Sequence, residues 1–358
     1  MRLEDELQAR LLERERDGLL RTLDVPRGTD FVSNDYLGFA RIPEDLFPVM
    51  SLPASRLLGG HSLAHAALED RVARWKGHAA ALLFPSGFQA NVSVLSALVG
   101  PQDRVLSDAA NHASLIDGIR LARPAETIVF PHLSFGAVAS ALATPFAGRS
   151  FVVTESLFGM DADQAPLEAY AELCHRHGAE LIVDDAHASG LYGPGGAGLA
   201  VPEAAATITT FGKSLATAGA AVSGSSAVVG WLAQVARGFV YSTAISPLLI
   251  AQIDARLDRL ARDPIAGARP RQLAKALRAR LSRAGFDVRG VDAPIVPLVL
   301  GDVARTVALA SSLRERGFDV RAVRPPTVPD GTARLRISIH ADHTSEMIDA
   351  LATALERA

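Results

Sequence analysis

The sequence predicts an α/β protein in which a mostly parallel sheet forms a large domain, with a helical arm before it and a smaller α/β domain after it. Three observations carry this. Between residues 79 and 226, short continuously apolar runs alternate with helix-length segments, the pattern of strands buried on both faces and joined by helical crossovers. After Pro247 the texture changes to long charged helices with a few further apolar runs. Of the 358 residues 49% are apolar and 21% charged, enough apolar surface to offset the entropy lost on ordering the chain.

Residues 1–30 read as the arm, because Leu3, Leu7, Leu11 and Leu12 form one helical stripe before Gly18 and Pro26 interrupt it. A lone helix cannot bury such a stripe, so the arm is expected to pack on something else. Residues 31–247 form the expected large domain, with strands at 80–84, 127–130, 151–154, 181–183, 207–211 and 220–222. Helices are expected between most of them, at 88–99, 114–122, 135–143 and 167–177. Residues 248–358 form the expected small domain. It has helices at 248–262, 272–284, 303–316 and 345–356, and strands at 295–300, 320–323 and 335–339.

Composition excludes several function classes. The formal net charge is −3, which leaves no global positive excess for a phosphate backbone, so nucleic acid is not an expected partner. One cysteine, Cys174, excludes intramolecular disulfides and cysteine-rich zinc sites and fits a reducing, cytoplasmic setting. The charged N-terminus lacks the apolar core of a secretory signal. Residues 214–236 carry no charge, but their glycines, serines and Gln234 read as a buried strand plus a helix rather than a membrane span.

Two phosphate-binding strings fail on context. Gly193-Pro-Gly195-Gly-Ala-Gly198 follows its strand too distantly, and Pro202 interrupts what comes after, so it reads as a loop. Gly212-Lys213-Ser214 lacks the earlier glycine of a P-loop, since position 207 is Thr207. The stronger signal lies at strand ends, where open α/β sheets keep their sites. The 181–183 strand ends in Asp184-Asp185-Ala-His187, the 207–211 strand in Gly212-Lys213, and the 80–84 strand leads to Ser86-Gly87-Phe88 before a helix.

Each feature has a plain structural reading. Either aspartate could cap a helix, Lys213 could be a solvated lysine, His112 and His187 could be satisfied histidines, and Ser86-Gly87 could be a turn. Jointly they supply the residue types coenzyme chemistry needs: an amine for an aldehyde, an acid for a pyridine nitrogen and a helix N-terminus for a phosphate. Metal binding is the weaker reading. His61 and His65 are spaced i, i+4, but Ser62 stands where the glutamate of a zinc helix would be, and His175 and His177 only flank Arg176. Surface or subunit-interface histidines are expected, and no metal.

Seven stretches carry a resemblance: Phe31-Val-Ser-Asn-Asp-Tyr-Leu-Gly38, Ser86-Gly-Phe-Gln-Ala-Asn91, Asn111-His-Ala-Ser114, Val183-Asp-Asp-Ala-His187, Thr210-Phe-Gly-Lys213, Tyr241-Ser-Thr243 and Arg324-Pro-Pro-Thr-Val-Pro-Asp-Gly-Thr-Ala-Arg-Leu-Arg336. Over nearly its whole length the chain resembles the α-oxoamine synthases of the fold-type I pyridoxal phosphate (PLP) enzymes. Arg324-Pro-Pro-Thr-Val-Pro and Ala165-Pro-Leu167 favour the 8-amino-7-oxononanoate synthase branch, which belongs to biotin biosynthesis, over the aminolevulinate and aminoketobutyrate branches.

The resemblance implies a PLP-transferase large domain and an acyltransferase that condenses L-alanine with a pimeloyl thioester, on coenzyme A or acyl carrier protein, with loss of carbon dioxide. It makes Lys213 the cofactor-bearing lysine and proton carrier, and Asp184 the partner of the pyridinium nitrogen. His187 would contact the phenolic oxygen and His112 would stack on the ring. Gly87, Phe88 and Thr210 would serve the phosphate, with Ser242 and Thr243 reaching it from the other subunit of a homodimer. Arg336 would take the amino-acid carboxylate, while Arg324, Thr327 and Arg21 would line the acyl path. Two departures stand out: Phe158-Gly159-Met160-Asp161 has Gly159 where the family usually has serine, and the 39–54 segment is short. A sister synthase using glycine and another acyl-CoA, or a non-catalytic binding protein on the same fold, are the alternatives.

Overall fold

The computed structural model describes residues 13, 16–18, 29–31, 36–38 and 54–357, to which the structural statements below refer. Most of the expected arm, with Arg21, and residues 39–53 lie outside them. The chain divides into two compact units, one of Asp35–Phe158 and Asp163–Ala268, the other of Met1–Asn34, Gly159–Ala162 and Arg269–Ala358.

Strand β1 (Thr29–Asp30) belongs to the smaller unit. The larger unit holds β2 (Ala80–Phe84), β3 (Arg104–Asp108), β4 (Glu126–Phe130), β5 (Ser150–Glu155), β6 (Glu180–Asp184), β7 (Ala206–Thr210) and β8 (Ala220–Gly224). They form one sheet in the order β2-β8-β7-β6-β5-β3-β4. From β4 to β7 the strands are parallel, and β8 runs antiparallel to both its neighbours. Sequence reading missed β3. Its Arg104, Ser107 and Asp108 break the apolar pattern, yet all five residues are buried. Arg104 is satisfied there by Ser150 Oγ at 3.0 Å and by stacking on Phe146.

Both faces are covered over most of the sheet, which is why β2, β5, β6 and β8 are largely apolar rather than alternating, whereas the edge strand β4 leaves Val129 exposed. On one face Leu82, Phe84, Val153, Ile182 and Ile208 pack against helices α2 (Gly87–Leu98), α3 (Ala113–Ala122) and α6 (Ser226–Val235). On the other, Leu106, Val152 and Val183 meet α4 (Phe135–Ala143) and α5 (Leu167–His177). Also on that face, Leu83 and Phe211 meet α1 (Leu63–Lys76) and α8 (Pro247–Arg262). The short α7 (Arg237–Val240) links α6 to the loop before α8. The uncharged 214–236 run resolves into a loop, β8 and α6, and no described helix is long and apolar enough to cross a membrane. The break expected after Pro247 falls elsewhere: α8 buries Ile250, Ile253 and Leu257 with Leu68 and Val72 of α1, so the larger unit extends to Ala268.

The smaller unit contains α9 (Ala268–Arg283), β9 (Asp287–Val288), β10 (Ile295–Gly301), α10 (Val303–Glu315), β11 (Phe318–Asp319), β12 (Arg321–Val323), β13 (Ala333–Ser338) and α11 (Ser345–Glu356). Four strands form an antiparallel sheet in the order β12-β13-β10-β9, and β1 pairs in parallel with β11. Beside that pair sits buried His343. Its Nε2–H donates to Asp30 O (2.9 Å) and its Nδ1 accepts from His340 N–H (3.2 Å), so both ring nitrogens are used by the neutral form. Burial first, then the charge of His340, pulls its pKa down to about 4.

Candidate active site

Connection order reverses between β3 and β5: β4 lies on one side of β3, and β5 on the other. Such a reversal opens a crevice at the carboxyl ends of the strands. Asn111, just past β3, spans it by donating to Ser107 Oγ (2.9 Å) and to Val153 O of β5 (2.8 Å). The next residue, His112, caps α3, its Nδ1 accepting from Ser114 N–H at 3.2 Å and lying 2.7 Å from Ser114 Oγ. Ser114 Oγ accepts from Asn91 Nδ2 (2.9 Å), and the same Asn91 amide donates to Asp184 Oδ2 (2.6 Å). Through Ser114 and Asn91, one hydrogen-bonded chain thus runs from His112 to Asp184. His112 is kept below the usual histidine range by desolvation; nearby Asp184 opposes this and Lys213 adds to it.

Successive residues of a strand end face opposite ways, and this separates the two aspartates. Asp184 accepts from Asn91 and from Ala186 N–H (3.0 Å). Asp185 turns to the other side, where its Oδ2 meets Lys76 Nζ (2.6 Å) and Ser189 Oγ (2.8 Å) and its Oδ1 accepts from Ser156 Oγ (2.7 Å) and Leu199 N–H (3.1 Å). Lys76 and Asp185 are both fully enclosed, and Lys76 also donates to Ala197 O. Burial lowers the lysine's pKa while Asp185 holds it up. A Cβ on Gly198, at φ +101°, would collide with this pair, which explains a glycine in the loop that mimics a dinucleotide fingerprint.

Lys213 lies in the loop that joins β7 to β8. The loop is closed by Phe211 N–H to Gly219 O (3.0 Å), Thr217 N–H to Phe211 O (3.1 Å) and Ala216 N–H to Lys213 O (2.8 Å). The half-buried lysine is close enough to His112 to act on its titration. At the end of β7, the buried Thr210 Oγ1 has no hydrogen-bond partner. Its methyl fills the space a Cβ on Gly87 would need, so glycine brings the first turn of α2 against Thr210. Ser86 caps that helix by accepting Gln89 N–H at 3.2 Å, and Phe88 beside it is exposed. His187 Nδ1 lies 3.0 Å from Tyr36 OH.

Ser242 lies 3.4 Å from Gln89 Nε2 in the first turn of the same chain's α2, and Thr243 bridges to Ser55. In the smaller unit, Arg336 of β13 donates to Gly159 O (2.6 Å) and Ser338 Oγ (2.8 Å), so the position where serine was expected meets the guanidinium through its backbone carbonyl. Arg324 donates to Gly18 O, and Thr327 N–H closes a turn onto Arg324 O (3.0 Å). Of the weighed histidines, His61 takes Arg56 Nε at 3.1 Å. His65, expected at a surface or interface, is instead buried against Ile245 O (3.2 Å), because it lies on the packed face of α1.

Sequence reading assigned no role to Asn91, Tyr36 or Glu155. Asn91 and Tyr36 stood in the motifs, but side-chain donors have no signature until the partner strand is placed. Glu155 falls one residue past the strand expected at 151–154.

The chain matches the family model described as aminotransferase class I and II over residues 28–355. An 8-amino-7-oxononanoate synthase of Anaeromyxobacter dehalogenans is 46% identical over 90% of this chain and 84% of its own. One of Xanthomonas axonopodis pv. citri is 38% identical over 96% and 89%. The chain belongs to the 8-amino-7-oxononanoate synthases within the class I and II aminotransferase family. Among solved structures, Sphingomonas wittichii serine palmitoyltransferase superposes with a TM-score of 0.90 at 26% identity, covering 100% of this chain and 98% of that one. The Francisella tularensis 8-amino-7-oxononanoate synthase shares the fold, with a TM-score of 0.78 at 24% identity over 92% and 97%. The family is one of PLP-dependent, acyl-transferring enzymes of fold-type I in biotin synthesis.

The residues present fit that cofactor. Thr210's orphaned hydroxyl beside the N-terminus of α2 suits a phosphate, and Lys213 offers the amine. Asp184 has its carboxylate held by an amide on this side, while that of Asp185 is saturated on the other.

Proposed function

We propose that the cluster around Lys213 and Asp184 is where this synthase joins the Cα of L-alanine to the carbonyl carbon of a pimeloyl thioester, releasing the thiol and carbon dioxide and giving 8-amino-7-oxononanoate. The observation that carries it is the chain from His112 to Asp184 with Lys213 beside it. When bound, pyridoxal phosphate supplies the electron sink that stabilises negative charge at the alanine Cα. Lys213 Nζ takes the Cα proton and returns one after the new carbon–carbon bond is made. Asp184 would keep a positive charge at the ring nitrogen, which makes the sink effective. Thr210 with Gly87 and Phe88 at the start of α2 would hold the phosphate, His112 would cover the ring, and His187, beside Tyr36, would meet the phenolic oxygen. For the substrates, Arg336 takes the amino-acid carboxylate, and Arg324, Thr327 and Arg21 serve the acyl donor.

A homodimer with Ser242 and Thr243 contributed across it belongs to the same reading. Leu58, Leu63 and Tyr241 are 82%, 89% and 73% exposed, and the first two lie within the stretch beside Ser55, which bridges to Thr243; a second copy would cover them. A cytoplasmic setting belongs to the same reading, supported by the single cysteine, Cys174, which is free. The test is borohydride reduction with peptide mapping, followed by product mass with alanine or glycine and a pimeloyl thioester. Label at Lys213 and an alanine-derived product are expected. Label on another lysine, or a glycine product alone, overturns the reading.

A further inference from the structure

Two backbone N–H groups anchor the hydrogen-bonded chain between His112 and Asp184, and a backbone donor cannot reverse its role. At one end Ser114 N–H donates to His112 Nδ1 at 3.2 Å, the capping bond of α3. A ring nitrogen that accepts carries no proton, so the neutral ring has its proton on Nε2. At the other end Ala186 N–H donates to Asp184 Oδ1 at 3.0 Å.

The side chains between these anchors have one consistent arrangement. His112 Nδ1 has no proton to give, so its 2.7 Å contact with Ser114 Oγ is a hydroxyl donating to the ring. With that proton used, Ser114 Oγ has only lone pairs left, and it accepts from Asn91 Nδ2 at 2.9 Å. The second Nδ2 hydrogen goes to Asp184 Oδ2 at 2.6 Å, while Asn91 Oδ1 has no partner. An amide turned the other way would present an oxygen to Ser114 Oγ and lose that bond. Asn91, Ser114 and Asp184 are all buried, so the three side chains bond to one another rather than to water.

Two donors of one serine thus converge on His112 Nδ1. Charging the ring would place a proton between them, and burial disfavours the charged ring as well. Lys213 is near enough to act on the same titration. A neutral imidazole keeps one nitrogen as an acceptor, and an open acceptor beside a lysine draws a hydrogen bond from its amine. In His112 the accepting nitrogen is already occupied by Ser114, and the other carries hydrogen.

Resting on the assignment of His112 and Lys213 above, we propose that Ser114 and Asn91 are positioning residues for His112. They hold its ring neutral with the proton on Nε2, so that it offers Lys213 no acceptor and leaves the amine to its own chemistry.

Nitrogen-15 spectra of the histidine side chains in the full-length chain, without added cofactor, test this directly. The His112 signals are identified among those of the ten histidines by their loss in His112→Gln. Wild type is expected to show an unprotonated Nδ1 and a protonated Nε2. Ser114→Ala removes one of the two donors and should raise the ratio of Nδ1–H to Nε2–H rings about fivefold, the scale of one hydrogen bond. Asn91→Asp keeps the shape but turns an acceptor toward Ser114, because a proton shared by two adjacent carboxyl groups lies between them. The Ser114 hydroxyl then leaves Nδ1, and the ratio should rise as in Ser114→Ala or further. In the loaded enzyme Ser114→Ala should lower kcat by about two- to fivefold and leave the KM for alanine near wild type. A protonated Nδ1 in wild type, or a tautomer ratio unmoved by Ser114→Ala, overturns the proposal. A shifted ratio with unchanged kcat overturns the link to Lys213. The spectra need neither cofactor nor turnover, so they separate failure of this inference from failure of the site assignment.

Discussion

Asp184 and Asp185 are neighbours in sequence, sit at the same strand end and are both buried, yet they belong to different parts of the molecule. Asp185 meets one cation, two hydroxyls and a backbone N–H, and every partner is internal. Asp184 is held by one amide and one backbone N–H on the face that also carries His112, Glu155 and Lys213. Beside Asp184 the buried polar inventory is incomplete, since Asn91 Oδ1 finds no partner, and neither does Thr210 Oγ1 against the first turn of α2. Buried polar atoms are nearly always satisfied, so local surplus marks a place built to receive something, whereas local saturation marks a joint.

The widest separation between the two regions should come from rate. Lys213→Ala is expected to lower turnover by about 10²–10⁴-fold, the scale of a lost acid–base group, with little change in the melting curve. Asp184→Asn should lower turnover by about 10²-fold or more while leaving the fold near wild type, because an amide can still occupy that position. An equal rate loss from Asp185→Asn would erase the distinction.

Stability should separate them next, in the opposite sense. Asp185→Asn or Lys76→Met leaves an uncompensated buried charge, a loss of about 3–5 kcal/mol in a denaturant titration. Changing both residues together should cost less than the two single losses added, and strict additivity would show that the pair does not act as a unit.

A smaller effect extends the comparison to the other unit. His343 is saturated like Asp185, but by a neutral ring. Its folded pKa of about 4 lies below the ordinary 6.5, so between these values the unfolded chain binds the extra proton and stability falls as the pH is lowered. This step should be visible in acid unfolding of wild type and reduced in His343→Gln. A curve unchanged by the substitution would count against the assignment of the neutral form.

Most strands of the larger sheet were legible because burial on both faces writes an unbroken apolar run into the sequence. β3 was not, since Arg104 and Asp108 are buried by pairing rather than by hydrophobicity, and pairing has no local signature. The break placed after Pro247 followed a change in charge texture, but α8 hides one apolar stripe under charged residues, and that stripe packs on α1. At the proposed site, Asp184, His187 and Lys213 were singled out by their places after expected strands, and His112 by the resemblance alone. That Glu155 lies beside Asp184 could not be found, because it depends on the register of β5 against β6. Lys76 was equally silent: within α1 it reads as one more charged residue, and only the turn after β6 shows what it faces.

The antiparallel strand in an otherwise parallel sheet has a consequence for how the molecule is assembled in time. Parallel neighbours must wait for a helix to be threaded between them, so their contacts close long loops. β7 and β8 are joined directly, and the loop that carries Lys213 is the short connection between them. This hairpin can form early, since closing a short loop costs little entropy. The lysine-bearing turn therefore takes its shape from local pairing, while the groups around Asp184 gather only when the crossovers are complete.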